Sequence, residues 1–102
     1  MLVAINSFSH TRKQKLYEQE VNNILYQIIC EENLPYFSIS YCFLSKGKEN
    51  LKIYLNFFPG SKQEELLELI NKKYSFLIKK KLAQSKKFAY IPNLLFLVAN
   101  NS

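Results

Sequence analysis

Phe37-Ser38-Ile39-Ser40-Tyr41-Cys42-Phe43-Leu44-Ser45, then Lys46-Gly47-Lys48-Glu49-Asn50, then Leu51-Lys52-Ile53-Tyr54-Leu55-Asn56-Phe57-Phe58 is the stretch that decides the fold. The first run alternates, and its aromatic and β-branched residues suit a pleated, half-buried surface. Two facings satisfy it. In one, Phe37, Ile39, Tyr41 and Phe43 share a side opposite Ser38, Ser40, Cys42 and Leu44. In the other, a bulge near Tyr41 buries Phe37, Ile39, Cys42 and Leu44 and leaves Tyr41 and Phe43 on the open face. The polar, glycine-containing connection turns the chain back, so the third run is the hairpin partner, with Leu51, Ile53, Leu55 and Phe57 toward the core.

Before the hairpin, Tyr17, Val21, Ile24, Leu25, Ile28 and Ile29 recur at the three-and-four spacing of one helical stripe. Ser9 or Thr11 has the hydroxyl for an N-cap, so a helix is expected from Thr11 to Glu32, after an N-terminal arm of residues 1–9. Asn33, Leu34 and Pro35 end it, because proline disfavours helix in the residue before it and has no amide hydrogen to donate. After the hairpin, Pro59-Gly60 stops the strand, and Ser61 followed by Glu64 reads as a capping box. Leu66, Leu67, Ile70, Tyr74, Leu77, Ile78 and Leu82 trace the next stripe. Acidic Glu64, Glu65 and Glu68 stand near its start and lysines near its end, as a helix dipole prefers. Leu94 to Val98, after Pro92, reads as a third strand, leaving 99–102 as a tail. The expectation is an α+β chain in the order α-β-β-α(α)-β, residues 1–102 forming one domain with its helices on one face of a three-stranded sheet.

The chain has 102 residues, 48% of them hydrophobic, enough for one core and too few for two. Fourteen Lys and Arg against eight Asp and Glu give a net charge of +6, which favours an anionic partner. Arg12 is the single arginine. Lysine neutralises phosphate without the planar fork that reads a base edge, so this surface suits backbone and shape more than base identity. The densest charge is Lys79-Lys80-Lys81 with Lys86-Lys87. A solvated face that only keeps a small apolar domain soluble is the plainer account of such a cluster.

Cys30 and Cys42 fall on a helix and a strand with no C-x-x-C spacing, so two buried, reduced thiols are expected. The opening Met1-Leu2-Val3-Ala4-Ile5 lacks a cationic start and is far shorter than the roughly 20 residues of a membrane span, so a soluble, uncleaved chain in a reducing cytoplasm is expected.

Five features stand in order along the chain: Arg12 at the head of an amphipathic helix, Leu34-Pro35-Tyr36-Phe37-Ser38-Ile39-Ser40, Leu51-Lys52-Ile53-Tyr54-Leu55-Asn56-Phe57, Ile70-Asn71-Lys72, and Tyr90-Ile91-Pro92-Asn93-Leu94-Leu95-Phe96. Together they resemble the ribosome-binding factor A family of small-subunit assembly factors. The resemblance runs from Arg12 to Phe96 and lies in the collinear spacing of all of them. It implies a type II KH-like domain in which an Ala-x-Gly kink separates the last two helices. Here the chain departs: Lys73-Tyr74-Ser75 or Tyr74-Ser75-Phe76 stands at the kink, neither has the glycine, and the segment is one residue longer than is typical. The stripe running from Ile70 through Tyr74 and Ile78 to Leu82 allows an unbroken helix. The family's basic positions after the kink match Lys79 and Lys87, while one usual arginine site carries Ala89.

The resemblance further implies a cytoplasmic monomer that binds 16S rRNA on the free 30S subunit and assists its maturation. It implies no cofactor, small-molecule substrate or membrane. The RNA-binding candidates are Arg12, Lys13, Lys72, Lys73, Lys79, Lys80, Lys81, Lys86 and Lys87. Tyr41, Phe43 and Tyr54 are candidates for stacking or contact on the open sheet face, while Phe37, Phe57, Phe76 and Phe96 are expected to pack inside. A small interaction module or dimer that uses the aromatic patch is the competing reading. His10 is the single histidine and has no evident partner, so it is expected at the surface; Glu31-Glu32 and Glu64-Glu65 read as solvated charge, and two glycines cannot build a phosphate loop. A non-enzyme is expected.

Overall fold

The computed structural model describes residues 2–60 and 62–99, and of residues 2–9 the backbone alone. Helix α1 (Leu2–Glu32) is followed by strands β1 (Phe37–Leu44) and β2 (Asn50–Phe57), helix α2 (Gln63–Leu69), a π turn (Ile70–Tyr74), helix α3 (Ser75–Gln84) and strand β3 (Asn93–Val98). The sheet order is β1-β2-β3, with β1 antiparallel and β3 parallel to β2. This is the expected α+β order, with the helices on one face of the sheet.

The bulged facing of β1 is the one realised. Its register slips between Ile39 and Tyr41, so Ser40 is the extra residue opposite β2. The slip turns Phe37, Cys42 and Leu44 inward and leaves Tyr41 and Phe43 on the open side. Leu51, Ile53 and Leu55 of β2 and Phe96 of β3 complete the sheet's buried layer. Tyr17, Val21, Ile28, Ile70, Ile78 and Leu82 meet it from the helices.

Five expectations are corrected. The first helix begins at Leu2, so residues 2–9 are helical backbone and not an arm; Ser9 and Thr11 stand inside a run with no proline or glycine to break it. Cys30 is exposed, leaving Cys42 as the buried thiol. Leu77 falls off the buried stripe and Phe76 stands almost fully in solvent. Ala99 is buried and donates its N–H to the Leu55 carbonyl at 2.8 Å, so the sheet contacts reach into the expected tail. Ser61, the expected capping residue, lies outside the described residues, as do 100–102; Lys62 takes the N-cap position with no side-chain cap bond.

No glycine kink interrupts the second helical segment. The Ser75 N–H reaches back five residues to the Ile70 carbonyl, which widens the turn and takes up one additional residue. The Asn71 carbonyl then accepts the Ser75 hydroxyl at 2.6 Å. Because the wide turn holds the surplus, Ile70, Tyr74, Ile78 and Leu82 all stay buried at a spacing of four. Deleting Lys73 should therefore convert the π turn to α-helix at less than about 1 kcal/mol, the scale of an ordinary surface change. Urea denaturation and far-UV circular dichroism check this. In a plain α-helix the same deletion would swing everything after it by about 100° and unfold the chain.

Side chains from the helical layer cover each sheet edge at one residue. On β1, the His10 Nε2–H donates to the Leu44 carbonyl at 2.8 Å, and the Leu44 N–H donates to Gln14 Oε1 at 2.9 Å. On β3, Asn71 Nδ2 donates to the Phe96 carbonyl at 2.9 Å and Asn71 Oδ1 accepts from the Phe96 N–H at 3.0 Å. These contacts stop the free strand edges from templating another chain there, and they give His10 a partner that its sequence context did not show.

Burial pushes the Cys42 thiol up to about 12, with Glu18 adding to the shift. At pH 8 that leaves about one part in ten thousand as thiolate. A thiol reagent should label Cys30 alone in the folded protein, and both cysteines once denaturant is added; counting modified thiols by mass spectrometry checks it.

Candidate nucleic-acid interface

Helix α3 carries the densest cationic charge and is anchored at both ends against α1. At its start, the Tyr74 hydroxyl donates to Glu32 at 2.9 Å. Burial first, then that carboxylate, holds the Tyr74 phenol above its usual range. Beyond its end, Phe88 stacks on Tyr17 with ring centroids 4.3 Å apart, and the Tyr17 hydroxyl donates to the Tyr90 carbonyl at 2.6 Å. The two helices therefore run antiparallel, and α3, about 15 Å long, is a stiff bar.

Along that bar, burial of Ile78 and Leu82 turns Lys79, Lys80 and Lys81 outward or to the sides. Lys79 donates to Asn93 Oδ1 at 3.2 Å. The helix ends with Lys86 in the left-handed region at φ 59°, its N–H bonded to the Ala83 carbonyl at 3.3 Å. That position usually belongs to glycine. Among the described residues, no carboxylate lies within ion-pair reach of Lys79, Lys80, Lys81 or Lys86.

The other candidates divide. Lys72 is held by Glu68 at 2.7 Å, a hydrogen bond that raises the lysine and lowers the carboxylate from their ordinary values. Lys73 stands 4.0 Å from Glu32 and over the Tyr74 ring. Lys87 pairs with Glu20 at 2.9 Å. Glu32 is thus engaged, while Glu31, Glu64 and Glu65 are exposed. Such solvent-exposed pairs add little and are readily exchanged for another anion. Arg12 is exposed and Lys13 half-buried on α1, N-terminal to Tyr17, which places both at the end of the helical layer where Lys86 and Lys87 lie.

Phe76 is an aromatic residue that the sequence reading misplaced. It is 76% exposed, three residues after Lys73 and four before Lys80, so it shares one outer row with both. The signal was present: Tyr74 and Ile78 are both inward, and a residue midway between them points away.

Tyr41, Phe43 and Tyr54 lie on the opposite, open side of the sheet. Tyr41 and Tyr54 are register partners whose rings stack at 4.4 Å and 17°. They do not join the lysines, because the sheet itself separates the two groups. Among the described residues, no cluster of histidine, cysteine and carboxylate groups fits a metal ion, and no helix is long and apolar enough to cross a membrane.

No protein-family model matches the chain. Ribosome-binding factor A of Coprothermobacter proteolyticus is 24% identical over 90 residues, covering 88% of this chain and 65% of that protein, so the chain spans just under two thirds of this relative's length. The crystal structure of ribosome-binding factor A from Thermus thermophilus superposes with a TM-score of 0.72 at 18% identity, over 87% of this chain and 94% of the other. A Thermotoga maritima protein solved by NMR, described as a candidate ribosome binding factor A, gives a TM-score of 0.65 at 20% identity, over 88% and 90%. The likeness first read from scattered motifs is thus present in sequence and in three dimensions, and the chain carries the fold of ribosome-binding factor A.

Proposed function

We propose that this chain is a ribosome-associated assembly factor that binds rRNA of the immature small subunit and assists its maturation. The observation that carries the reading is the group Lys79, Lys80 and Lys81 on the clamped helix α3, with Lys86 just past its end, none with a carboxylate partner among the described residues, in a ribosome-binding factor A fold. Ammonium groups fixed at helical spacing neutralise successive phosphates without reading bases. The chain works as a single cytoplasmic domain and monomer, gripping one RNA conformation and leaving when maturation changes it. It performs no bond chemistry: its role is binding, and the RNA supplies the conformational change.

Sedimentation of the tagged protein with cell extract tests this. Comigration with free small subunits, and release when Lys79, Lys80 and Lys81 become alanine, is the expected result. Equal migration of wild type and variant, or no association with small subunits, would sink the proposal.

A further inference from the structure

We infer that the open face of the sheet is a second nucleic-acid surface, which takes an unpaired stretch of RNA by stacking its bases on Tyr41, Tyr54 and Phe43 while Lys52 holds a phosphate. This deepens the RNA-binding reading above and rests on it for the class of partner.

The register assembles the surface. One cross-strand row is Tyr41, Tyr54 and Leu97, and the next is Phe43, Lys52 and Leu95. No helix covers either row: Tyr41 is 50% exposed, Phe43 55% and Leu95 45%. The Tyr41–Tyr54 pair presents stacked, nearly parallel rings, and a groove of about 310 Å³ lined by Phe43, Lys52, Asn93 and Leu95 lies beside it.

Charge and spacing select the occupant. The three strands contain no acidic residue, and their one charged side chain is the central cation Lys52. A flat aromatic surface around a lone ammonium group suits a chain that alternates planar apolar groups with anions. Tyr41 and Phe43, two residues apart on one strand, stand roughly 6.7 Å apart along it. That is roughly twice the 3.4 Å rise of a stacked nucleic-acid strand, so successive bases of an extended strand meet successive rings. A second copy of the chain fits worse. A two-fold, face-to-face dimer would set Lys52 near its own symmetry mate with no carboxylate on either face to relieve the repulsion.

The lysines of α3 lie on the helical side of the sheet and this aromatic surface on the open side, with Lys79 reaching Asn93 at the rim of the groove. One molecule thereby grips a helical phosphate backbone on one side and an unpaired strand on the other.

The test titrates the full chain, isotope-labelled at tyrosine and phenylalanine, with an oligouridylate of about eight nucleotides and with an RNA duplex of the same length. The oligouridylate should shift the ring resonances of Tyr41, Phe43 and Tyr54. Tyr41→Ala and Phe43→Ala should each weaken its binding about 5- to 100-fold while leaving duplex affinity unchanged. Lys52→Gln, a surface change that leaves the rings intact, should lower the salt dependence of oligouridylate binding alone.

Ring shifts confined to Phe76, or equal weakening of both RNAs, would overturn the inference, as would a concentration-dependent dimer dispersed by Phe43→Ala. Stacking on the sheet without comigration with small subunits supports the inference and counts against the ribosomal reading. Comigration that depends on α3, with no response on the sheet, does the reverse.

Discussion

Replacing Lys79, Lys80 and Lys81 together with alanine is expected to weaken RNA binding about 100-fold near physiological salt, with no loss of stability. Each ammonium group that meets a phosphate releases a condensed counterion. Three lost contacts therefore reduce the log-log salt slope by about 2 to 3, from about −3 to −3.5 for the four lysines without a carboxylate partner. Stability holds because alanine is the best helix former, none of the three lysines has an ion pair among the described residues, and the Lys79 bond to Asn93 that is lost is solvent-exposed.

Lys86→Gly separates binding from folding more sharply. Lys86 occupies a left-handed position at φ 59°, where a β-carbon is strained, so glycine should stabilise the fold by about 1 kcal/mol while removing one phosphate contact. A variant that melts higher yet binds several-fold weaker cannot owe its defect to misfolding. Fluorescence anisotropy on an rRNA fragment across a salt series, beside urea denaturation, measures both. Unchanged affinity in both variants would reduce the lysine row to a solubilising face.

Lys72, Lys73 and Lys87 should behave differently. Each already has a carboxylate partner, so single alanine substitutions there shift the salt slope less than Lys80→Ala does.

The faces of the elements were legible because periodicity reports them directly. The alternation in β2 and the four-residue spacing of Ile70, Tyr74, Ile78 and Leu82 are statements about which side is dry. The bulge at Ser40 was legible as one of two solutions, since Cys42 and Leu44 fit the core better than Tyr41 and Phe43 only if the register slips. Phe76 was misread because its type suggested burial, although its position argued against it. The start of α1 was missed for a related reason: Ser9 and Thr11 have capping chemistry, but a hydroxyl caps a helix only where the chain actually bends away. The pairing of Lys87 with Glu20, and of His10 and Gln14 with Leu44, spans 67, 34 and 30 residues of sequence. No local pattern encodes such contacts; they follow from how the helical layer sits on the sheet.

Asn71 is the residue on which that seating depends, and Asn71→Ala is expected to destabilise the fold by about 2 to 3 kcal/mol. Its side-chain amide acts as a one-residue substitute strand, satisfying both the N–H and the carbonyl of Phe96 on the free edge of β3. Removing it strands both groups beside a core in which Phe96 is fully buried. Asn71→Asp separates the two bonds. The carboxylate still accepts from the Phe96 N–H, but its second oxygen then faces the Phe96 carbonyl with no proton to offer. The neutral acid restores a donor, so folding raises the pKa of the introduced aspartate above its unfolded value. The destabilisation is accordingly full at neutral pH and relieved as pH falls toward the unfolded value near 4. Urea denaturation at pH 7 and pH 4, with amide exchange at Phe96, measures this. Exchange at Phe96 should accelerate in both variants at pH 7, and only Asn71→Asp should recover on acidification. Equal stability of Asn71→Ala and the parent would mean that the edge of β3 is held by the parallel ladder with β2 alone. The geometry of α3 above it would then be set by core packing and not by this amide.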